Sequence, residues 1–159
     1  MLRIVVLLFV CFCAVPVFAD CLTARVVATS DGDTLTVSYL GERYILRLAG
    51  IDAPETSHYG SPAQPFGVEA RDYLRQVVGL DVCVEVIDQD KYGRYVVNAW
   101  YQDYWINAEM VRAGMAWVYQ YYTDSDYLRE LEQAARTNRV GLWTDDNPVY
   151  PATFRNSLR

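Results

Sequence analysis

The order of the predicted strands and helices constrains the fold of this chain more than any other feature of the sequence. From Thr34 to Leu40, the side chains of Leu35, Val37 and Tyr39 alternate with hydroxyl side chains, as expected of a half-buried strand. Similar runs predict five strands, over residues 22–29, 34–40, 44–48, 82–87 and 95–101. Helical spacing of apolar side chains predicts three helices, over residues 66–79, 106–116 and 127–137.

The predicted elements follow one another as three strands, a helix, two strands and two helices. They show no strand–helix–strand alternation, which argues against a doubly wound parallel sheet. Five short strands interrupted by one helix instead predict an α+β, mainly β fold, namely a five-stranded Greek-key barrel of the OB-fold type with three helices. Asn107 is predicted to cap the N-terminus of the second helix with its side chain.

The first nineteen residues have the features of a secretory signal peptide. Arg3 gives a positive start, Ile4 to Phe18 is almost entirely apolar, and residues 17–19 resemble a cleavage site. The apolar run is shorter than a membrane span of roughly 20 residues, which leaves an uncleaved anchor as the alternative. We therefore predict an exported mature chain, residues 20–159, that forms one domain and has no stable membrane association.

Two of the four cysteines, Cys11 and Cys13, would leave with the signal peptide, and Cys21 and Cys83 would remain. An even pair in an exported chain favours a disulfide between them, with two buried free thiols as the alternative. A lipoprotein signal centred on Cys21 is disfavoured, because acidic Asp20 stands where that signal has a small neutral residue.

Net charge limits how the protein could bind nucleic acid. The chain carries a formal charge of −6, whereas strong nonspecific nucleic-acid binders are usually basic, because phosphate neutralisation drives their affinity. An acidic enzyme can still act on a polyanion if a bound cation and a few arginines reverse the field locally. The composition therefore predicts weak and strongly salt-sensitive substrate binding.

Three segments concentrate charged side chains where predicted strands meet loops. These segments are Asp31–Thr34, Arg47–Glu55 and Asp90–Arg94. Asp33, Asp52 and Glu55 could bring three carboxylates together, and hard oxygen ligands of this kind select calcium or magnesium. Arg47 and Arg94 leave neighbouring strands and could present guanidinium groups to a phosphate. Each segment alone is a common turn or loop sequence, so the argument depends on their order and spacing.

These segments, in this order, resemble the thermonuclease family, whose best-known member is staphylococcal nuclease. The resemblance continues through residues 106–107 and 111–116, through Gly-Leu-Trp at 141–143 and through Pro-Ala-Thr-Phe-Arg at 151–155. It implies an OB-fold barrel with three helices. It also implies a calcium-dependent enzyme that cleaves DNA and RNA and leaves 3′-phosphate ends.

The resemblance assigns the metal-binding residues one by one. Asp33 and Asp52 would bind calcium through their carboxylates, and Ala53 would bind it through the main-chain carbonyl. Glu55 would contact the ion through water and would orient or deprotonate the attacking water.

The resemblance likewise assigns the residues that contact the substrate. Arg47 and Arg94 would hold the phosphate and stabilise the negative charge of the transition state. Lys91 and Tyr92 would contact the phosphate end of the nucleotide, and Tyr122 would line the base pocket, where stacking tolerates any base.

Three functional hypotheses follow. The first is a calcium-dependent nuclease, a monomer that prefers exposed single strands and frayed duplexes. The second is a non-catalytic OB-fold module that binds nucleic acid, since such barrels often bind without chemistry. The third is a magnesium-dependent hydrolase of another phosphodiester.

Overall fold

The computed structural model describes residues 21–57, 60–119 and 123–158. The strands are β1 (Leu22–Asp31), β2 (Thr34–Tyr39), β3 (Glu42–Leu48), β4 (Ile51–Asp52), β5 (Asp81–Gln89), β6 (Tyr95–Tyr101), β7 (Tyr104–Trp105) and β8 (Trp117–Val118). The α-helices are α1 (Gly67–Leu74), α2 (Ile106–Arg112), α3 (Asp126–Thr137) and α4 (Pro151–Ser157). The predicted signal peptide and Tyr122 lie outside the described residues.

Five strands close into a barrel. The antiparallel ladder runs β3–β2–β1–β5–β6, and a parallel pairing of β3 with β6 closes it. Two isolated residue pairs of β4 and β8 form a separate small ribbon beside the barrel. This topology confirms the predicted mainly β fold with an OB-type, five-stranded barrel.

Side chains on alternate positions of the barrel strands fill the interior. In β3, for example, Leu46 and Leu48 point inward and are buried. Ile45, the residue before Leu46, points outward and is 51% exposed. The interior is built from Ala24, Val26, Leu35, Val37, Leu46, Leu48, Val82, Val84, Val97 and Ala99. Helix α1 adds Ala70 and Leu74 to this core, and each fully buried leucine or valine stabilises the fold by about 1.5–3 kcal/mol.

Asn107 fastens α2 to the barrel, and the prediction that it caps this helix is wrong. It is the second residue of α2 and is fully buried. Its Oδ1 accepts a hydrogen bond from the N–H of Ala99, and its Nδ2 donates to the carbonyls of Ala49 and Val97. The buried amide thus satisfies two backbone groups inside β6 and the carbonyl of Ala49, just after β3.

A fourth helix, α4, follows the three predicted helices. Pro151 stands in its first turn, a position that proline favours because its missing N–H has no helical partner there. The seven residues of α4 are too few to show a helical period in the sequence. No helix in the described part of the chain combines the length and apolarity needed to cross a membrane.

A disulfide joins Cys21, just before β1, to Cys83 in β5, with their Cα atoms 5.4 Å apart. The two strands are neighbours in the barrel, and Thr23 lies opposite Cys83. The bond therefore ties the start of the described chain to a strand 62 residues further on.

Candidate active site

The turn between β1 and β2 carries Asp33 and fits closely against the rest of the site. Asp33 is only 6% exposed, and its Oδ1 accepts a hydrogen bond from the hydroxyl of Thr34. A Cβ atom added to Gly32 would lie 2.7 Å from the Cβ atoms of both Ala53 and Ala70. Only glycine therefore lets this turn approach the segment that follows β4.

The short strand β4 carries Asp52 and leads directly into Ala53, which stands next to Asp33. Asp52 lies opposite Trp117 in the β4–β8 pair and is 2% exposed. The N–H of Ala53 donates a hydrogen bond of 2.8 Å to Oδ2 of Asp33. The two acidic segments recognised in the sequence are thus joined directly through a backbone hydrogen bond.

Arg47 connects both carboxylates. It lies opposite Thr34 in the β2–β3 pair, at the end of the barrel where Asp33 stands. Its Nη1 lies 2.7 Å from Oδ2 of Asp33, and its Nη2 lies 2.9 Å from Oδ1 of Asp52. The Arg47 side chain is 14% exposed, so that these ion pairs are largely shielded from solvent.

Glu55 is held by its backbone. Its N–H donates to Oε1 of Gln64, and its carbonyl accepts from the N–H of Gln64. A Cβ atom added to Gly67, at the start of α1, would lie 2.1 Å from the Glu55 carbonyl oxygen. Helix α1 and the buried Gln64 together fix the loop that presents the Glu55 carboxylate.

Arg155 is the site residue that sequence reasoning missed. From α4 its Nη1 lies 2.5 Å from Oε1 of Glu55, and its Nη2 lies 3.1 Å from Oδ2 of Asp52. The Pro-Ala-Thr-Phe-Arg segment, residues 151–155, belongs to the resemblance, and its closing arginine is the signal in the sequence that points to this residue. Its partners lie 100 and 103 residues earlier, so that only tertiary structure reveals the contacts.

Crowding of buried carboxylates raises their proton affinity. Burial raises the pKa of Asp52, and the negative charge of the nearby Asp33 raises it further. The guanidiniums of Arg155 and Arg47 oppose this shift. Burial and the neighbouring Asp33 raise the pKa of Asp31 to about 7. Burial alone would lower the pKa of Arg155, but its hydrogen bonds to Asp52 and Glu55 raise that pKa, so Arg155 remains charged.

The turn between β5 and β6 carries the other predicted substrate contacts. Arg94 donates from Nε to Oδ2 of Asp90 at 2.7 Å, and the backbone N–H groups of Tyr92 and Arg94 donate to Oδ1 of Asp90. Desolvation opposes the shift, but these hydrogen bonds hold the pKa of Asp90 below its ordinary value. Lys91 and Arg94 both lie near the ring of Tyr92, which is 73% exposed.

Arg94 lies near Arg47 in the barrel, but the two arginines form ion pairs with different acids. In the parallel β3–β6 pair Arg47 lies opposite Val96, two residues after Arg94. Among the described residues, the ion-pair partner of Arg94 is Asp90 and not the Asp33–Asp52 pair.

The donor chemistry at this end of the barrel fits a hard divalent cation. Asp33 and Asp52 offer buried carboxylate oxygens, and Ala53 adds a main-chain carbonyl beside them. Within the described ranges, no three His, Cys, Asp or Glu side chains form a group that could hold a metal ion. A cation here would depend on two carboxylates, the carbonyl and water.

Comparisons with known proteins agree with this architecture. The model of the family described as staphylococcal nuclease homologue matches residues 45–145. An uncharacterized endonuclease of Haemophilus influenzae is 39% identical over 135 residues, which cover 84% of this chain and 72% of that protein. An uncharacterized endonuclease of Escherichia coli is 36% identical over 143 residues, covering 89% of this chain and 90% of that protein.

A plant relative matches over a smaller share of its length. The staphylococcal-like nuclease CAN1 of Arabidopsis thaliana is 36% identical over 121 residues, which cover 76% of this chain and 36% of that protein. The barrel, the family match and these relatives lead to one conclusion. The chain belongs to the staphylococcal nuclease homologue family.

Proposed function

We propose that this protein is a calcium-dependent nuclease that hydrolyses phosphodiester bonds of DNA and RNA and leaves 3′-phosphate ends. The observation that carries the proposal is the joined set of Asp33, Asp52 and Arg47 at the end of the barrel, with Glu55 beside it. Family membership and relatives named as endonucleases support nuclease activity on nucleic acid.

Electrostatics supports a divalent cation at this site. When ionised, Asp33, Asp52 and Glu55 contribute three negative charges, against the two guanidiniums of Arg47 and Arg155. Asp31, whose pKa is raised to about 7, adds part of a fourth negative charge near neutral pH. The site is therefore net negative, which favours a bound cation. Bound calcium would polarise a phosphoryl oxygen and lower the pKa of water at the site.

Each side chain of the site has a defined task in the proposed reaction. Asp33 and Asp52 would hold the cation, together with the carbonyl of Ala53. Glu55 would accept a proton from the attacking water and orient that water toward phosphorus.

The two arginines would bind the phosphate. Arg47 donates hydrogen bonds to Asp52 and to the Leu48 carbonyl and forms an ion pair with Asp33. Because a guanidinium has five N–H donors, Arg47 could also donate to a phosphate oxygen. Arg94 would add a second guanidinium after exchanging Asp90 for the substrate. Loss of one such charge-stabilising donor typically lowers the rate by about 10²–10³.

Lys91, Tyr92 and Tyr122 complete the proposed substrate contacts. Lys91 and the exposed Tyr92 stand in the same turn as Arg94, which supports a role at the phosphate end of the nucleotide. Tyr122 would stack on the base. Because stacking requires an unpaired base, we propose a preference for single strands and frayed ends, and a monomer suffices for the reaction.

The experiment is digestion of single-stranded DNA, duplex DNA and RNA in calcium, in magnesium and in chelator, followed by end-group analysis. The proposal predicts cleavage in calcium, none in chelator and 3′-phosphate products, with single strands cut faster. Binding without cleavage would favour the non-catalytic OB-fold module. Magnesium-dependent cleavage of a small diester without cleavage of DNA would favour the third hypothesis.

We further propose that residues 1–19 are a signal peptide and that the mature protein is exported to the periplasm or the medium. The disulfide between Cys21 and Cys83 supports this, because such bonds persist in oxidising compartments. N-terminal sequencing of the protein from each cell fraction tests the proposal. A chain that begins at Asp20 outside the cytoplasm is expected, and an intact N-terminus in the membrane fraction would contradict it.

A further inference from the structure

Arg155 contacts two acids of the site, yet the proposed reaction gives it no task. Its side chain is 39% exposed, whereas Asp52, which it contacts, is almost completely buried. Nη1 contacts both Glu55 and Oδ1 of Asp52, and Nη2 contacts Oδ2 of Asp52. A single guanidinium thus bridges the acid proposed to hold the cation and the acid proposed to activate water.

The segment before α4 places Arg155 at this position. Gln64 accepts a hydrogen bond from the Glu55 N–H and donates a hydrogen bond of 2.6 Å to the carbonyl of Val149. The ring of Tyr150 packs edge-on against Trp117 with 5.3 Å between ring centroids, and Pro151 is buried. The loop that carries Glu55 and the chain that carries Arg155 are therefore fastened to each other near the site.

Arg155 and a divalent cation would compete for the same oxygens. Calcium contacts carboxylate oxygens at about 2.3–2.6 Å, and both oxygens of Asp52 already accept hydrogen bonds from Arg155. Two positive groups on one buried carboxylate repel each other strongly at low dielectric. Arg155 is more exposed than Arg47, 39% against 14%, and has more freedom to move aside.

We propose that Arg155 is a positioning residue: its guanidinium holds the carboxylates of Asp52 and Glu55 when no metal is bound. Calcium must displace this guanidinium in order to bind. Arg155 then acts as an internal cation that sets the calcium concentration at which the site fills. This inference rests on the proposed calcium site. It adds that α4, through Arg155, sets the calcium affinity of that site.

The test is calorimetric titration of calcium into chelator-stripped, full-length protein at an ionic strength of about 0.15 M, where exposed charges are screened. Arg155→Ala is expected to bind calcium about tenfold more tightly than the wild type, because the competing charge is gone. Arg155→Lys should fall between the two, since lysine keeps the charge but cannot bridge both acids as a planar fork. Arg25→Ala, which removes the same charge from an exposed ion pair with Asp81, should stay within about twofold of the wild type, as isolated surface charges are screened.

The outcomes separate this inference from the calcium site itself. Structural damage would weaken calcium binding, so tighter binding by Arg155→Ala is a result that a purely structural role does not produce. Equal dissociation constants for Arg155→Ala and Arg25→Ala, with binding lost in Asp52→Asn, would overturn the inference alone. A wild type that binds no calcium, or an Asp52→Asn variant that binds as well as the wild type, would overturn both.

If Arg155→Ala does not fold, tighter binding by Arg155→Lys supports the inference, and unchanged or weaker binding overturns it.

Discussion

The N–H of Ala53 donates a hydrogen bond of 2.8 Å to Oδ2 of Asp33, across twenty residues of sequence. The same oxygen receives Nη1 of Arg47 at 2.7 Å. One carboxylate therefore fixes the backbone of the second acidic segment and orients a guanidinium from β3. The site depends on Asp33 as its central connection.

Asp33→Asn is expected to raise the calcium concentration required for half-maximal cleavage by at least about tenfold. The amide keeps an oxygen that can accept from Ala53, but it removes one of the two negative charges proposed to hold the cation. Activity measured against calcium concentration checks this prediction. Asp81→Asn, an exposed change of the same kind, should leave the requirement unchanged, and an equal shift in both variants would contradict the prediction.

Arg47→Ala and Arg94→Ala should both slow cleavage by about 10²–10³ but should differ in stability. Removal of Arg47 leaves the buried carboxylates of Asp33 and Asp52 without that partner, which costs about 3–5 kcal/mol of unfolding free energy in chelator. Arg94 pairs with a more exposed Asp90, so that its loss should cost under about 1 kcal/mol.

Urea unfolding in chelator, alongside cleavage rates in calcium, measures both effects. Calcium should restore part of the stability lost in Arg47→Ala, because the cation would compensate the same carboxylates. Equal stabilities of the two variants would show that the buried ion pairs of Arg47 contribute little.

Gly67→Ala tests the contact that supports Glu55. The added Cβ would lie 2.1 Å from the Glu55 carbonyl oxygen, and relieving this overlap should cost about 1–3 kcal/mol and displace Glu55. Gly79→Ala is the matched control, because its φ of +88° makes alanine unfavourable while nothing lies within 4 Å. Cleavage rates at a temperature where both variants are folded should fall for Gly67→Ala only. Equal rates would contradict a role for this contact in placing Glu55.

Asp31 should make the metal-free protein less stable as pH rises. Burial and Asp33 raise the pKa of Asp31 from 3.8 to about 7, so the folded state holds this proton more tightly than the unfolded chain does. The resulting stabilisation is complete below a pH of about 3.8 and is lost as pH rises through about 7. In chelator, the free energy of unfolding should fall by about 1–3 kcal/mol between about pH 5 and about pH 8.

Asp31→Asn should reduce this fall, because the amide mimics the protonated acid at every pH. Urea unfolding at the two pH values gives both free energies. Identical pH dependence in the variant and the wild type would exclude Asp31 as the titrating group.

The barrel could be predicted from sequence because each strand carries its own period-two pattern. The parallel pairing of β3 with β6 could not be predicted in the same way, because a shift of two residues would keep Leu46, Leu48 and Val97 on the inner face. The short motifs predicted that Asp33, Asp52 and Arg47 belong to one site, and the structure brings these three side chains into contact. Their roles in that site stay predictions.

Other features depend on tertiary contacts that no local pattern reveals. Asn107 looked like a cap because helix starts favour asparagine, but its buried amide bonds to strand backbones. Arg155 could not be placed, because its position depends on how Val149 and Tyr150 pack against Gln64 and Trp117. The pairing of Arg94 with Asp90, by contrast, lies within one turn and could have been anticipated from their four-residue spacing.

The most direct test of the account is the single-turnover rate of cleavage of a labelled single-stranded oligonucleotide by Glu55→Gln in saturating calcium. Glu42→Gln, which makes the same change at the exposed start of β3, is the control. The account predicts that Glu55→Gln cleaves at least about 10²-fold more slowly than the wild type. Glu42→Gln should keep both the rate and the stability of the wild type. A Glu55→Gln variant that cleaves as fast as the wild type would contradict the proposed mechanism.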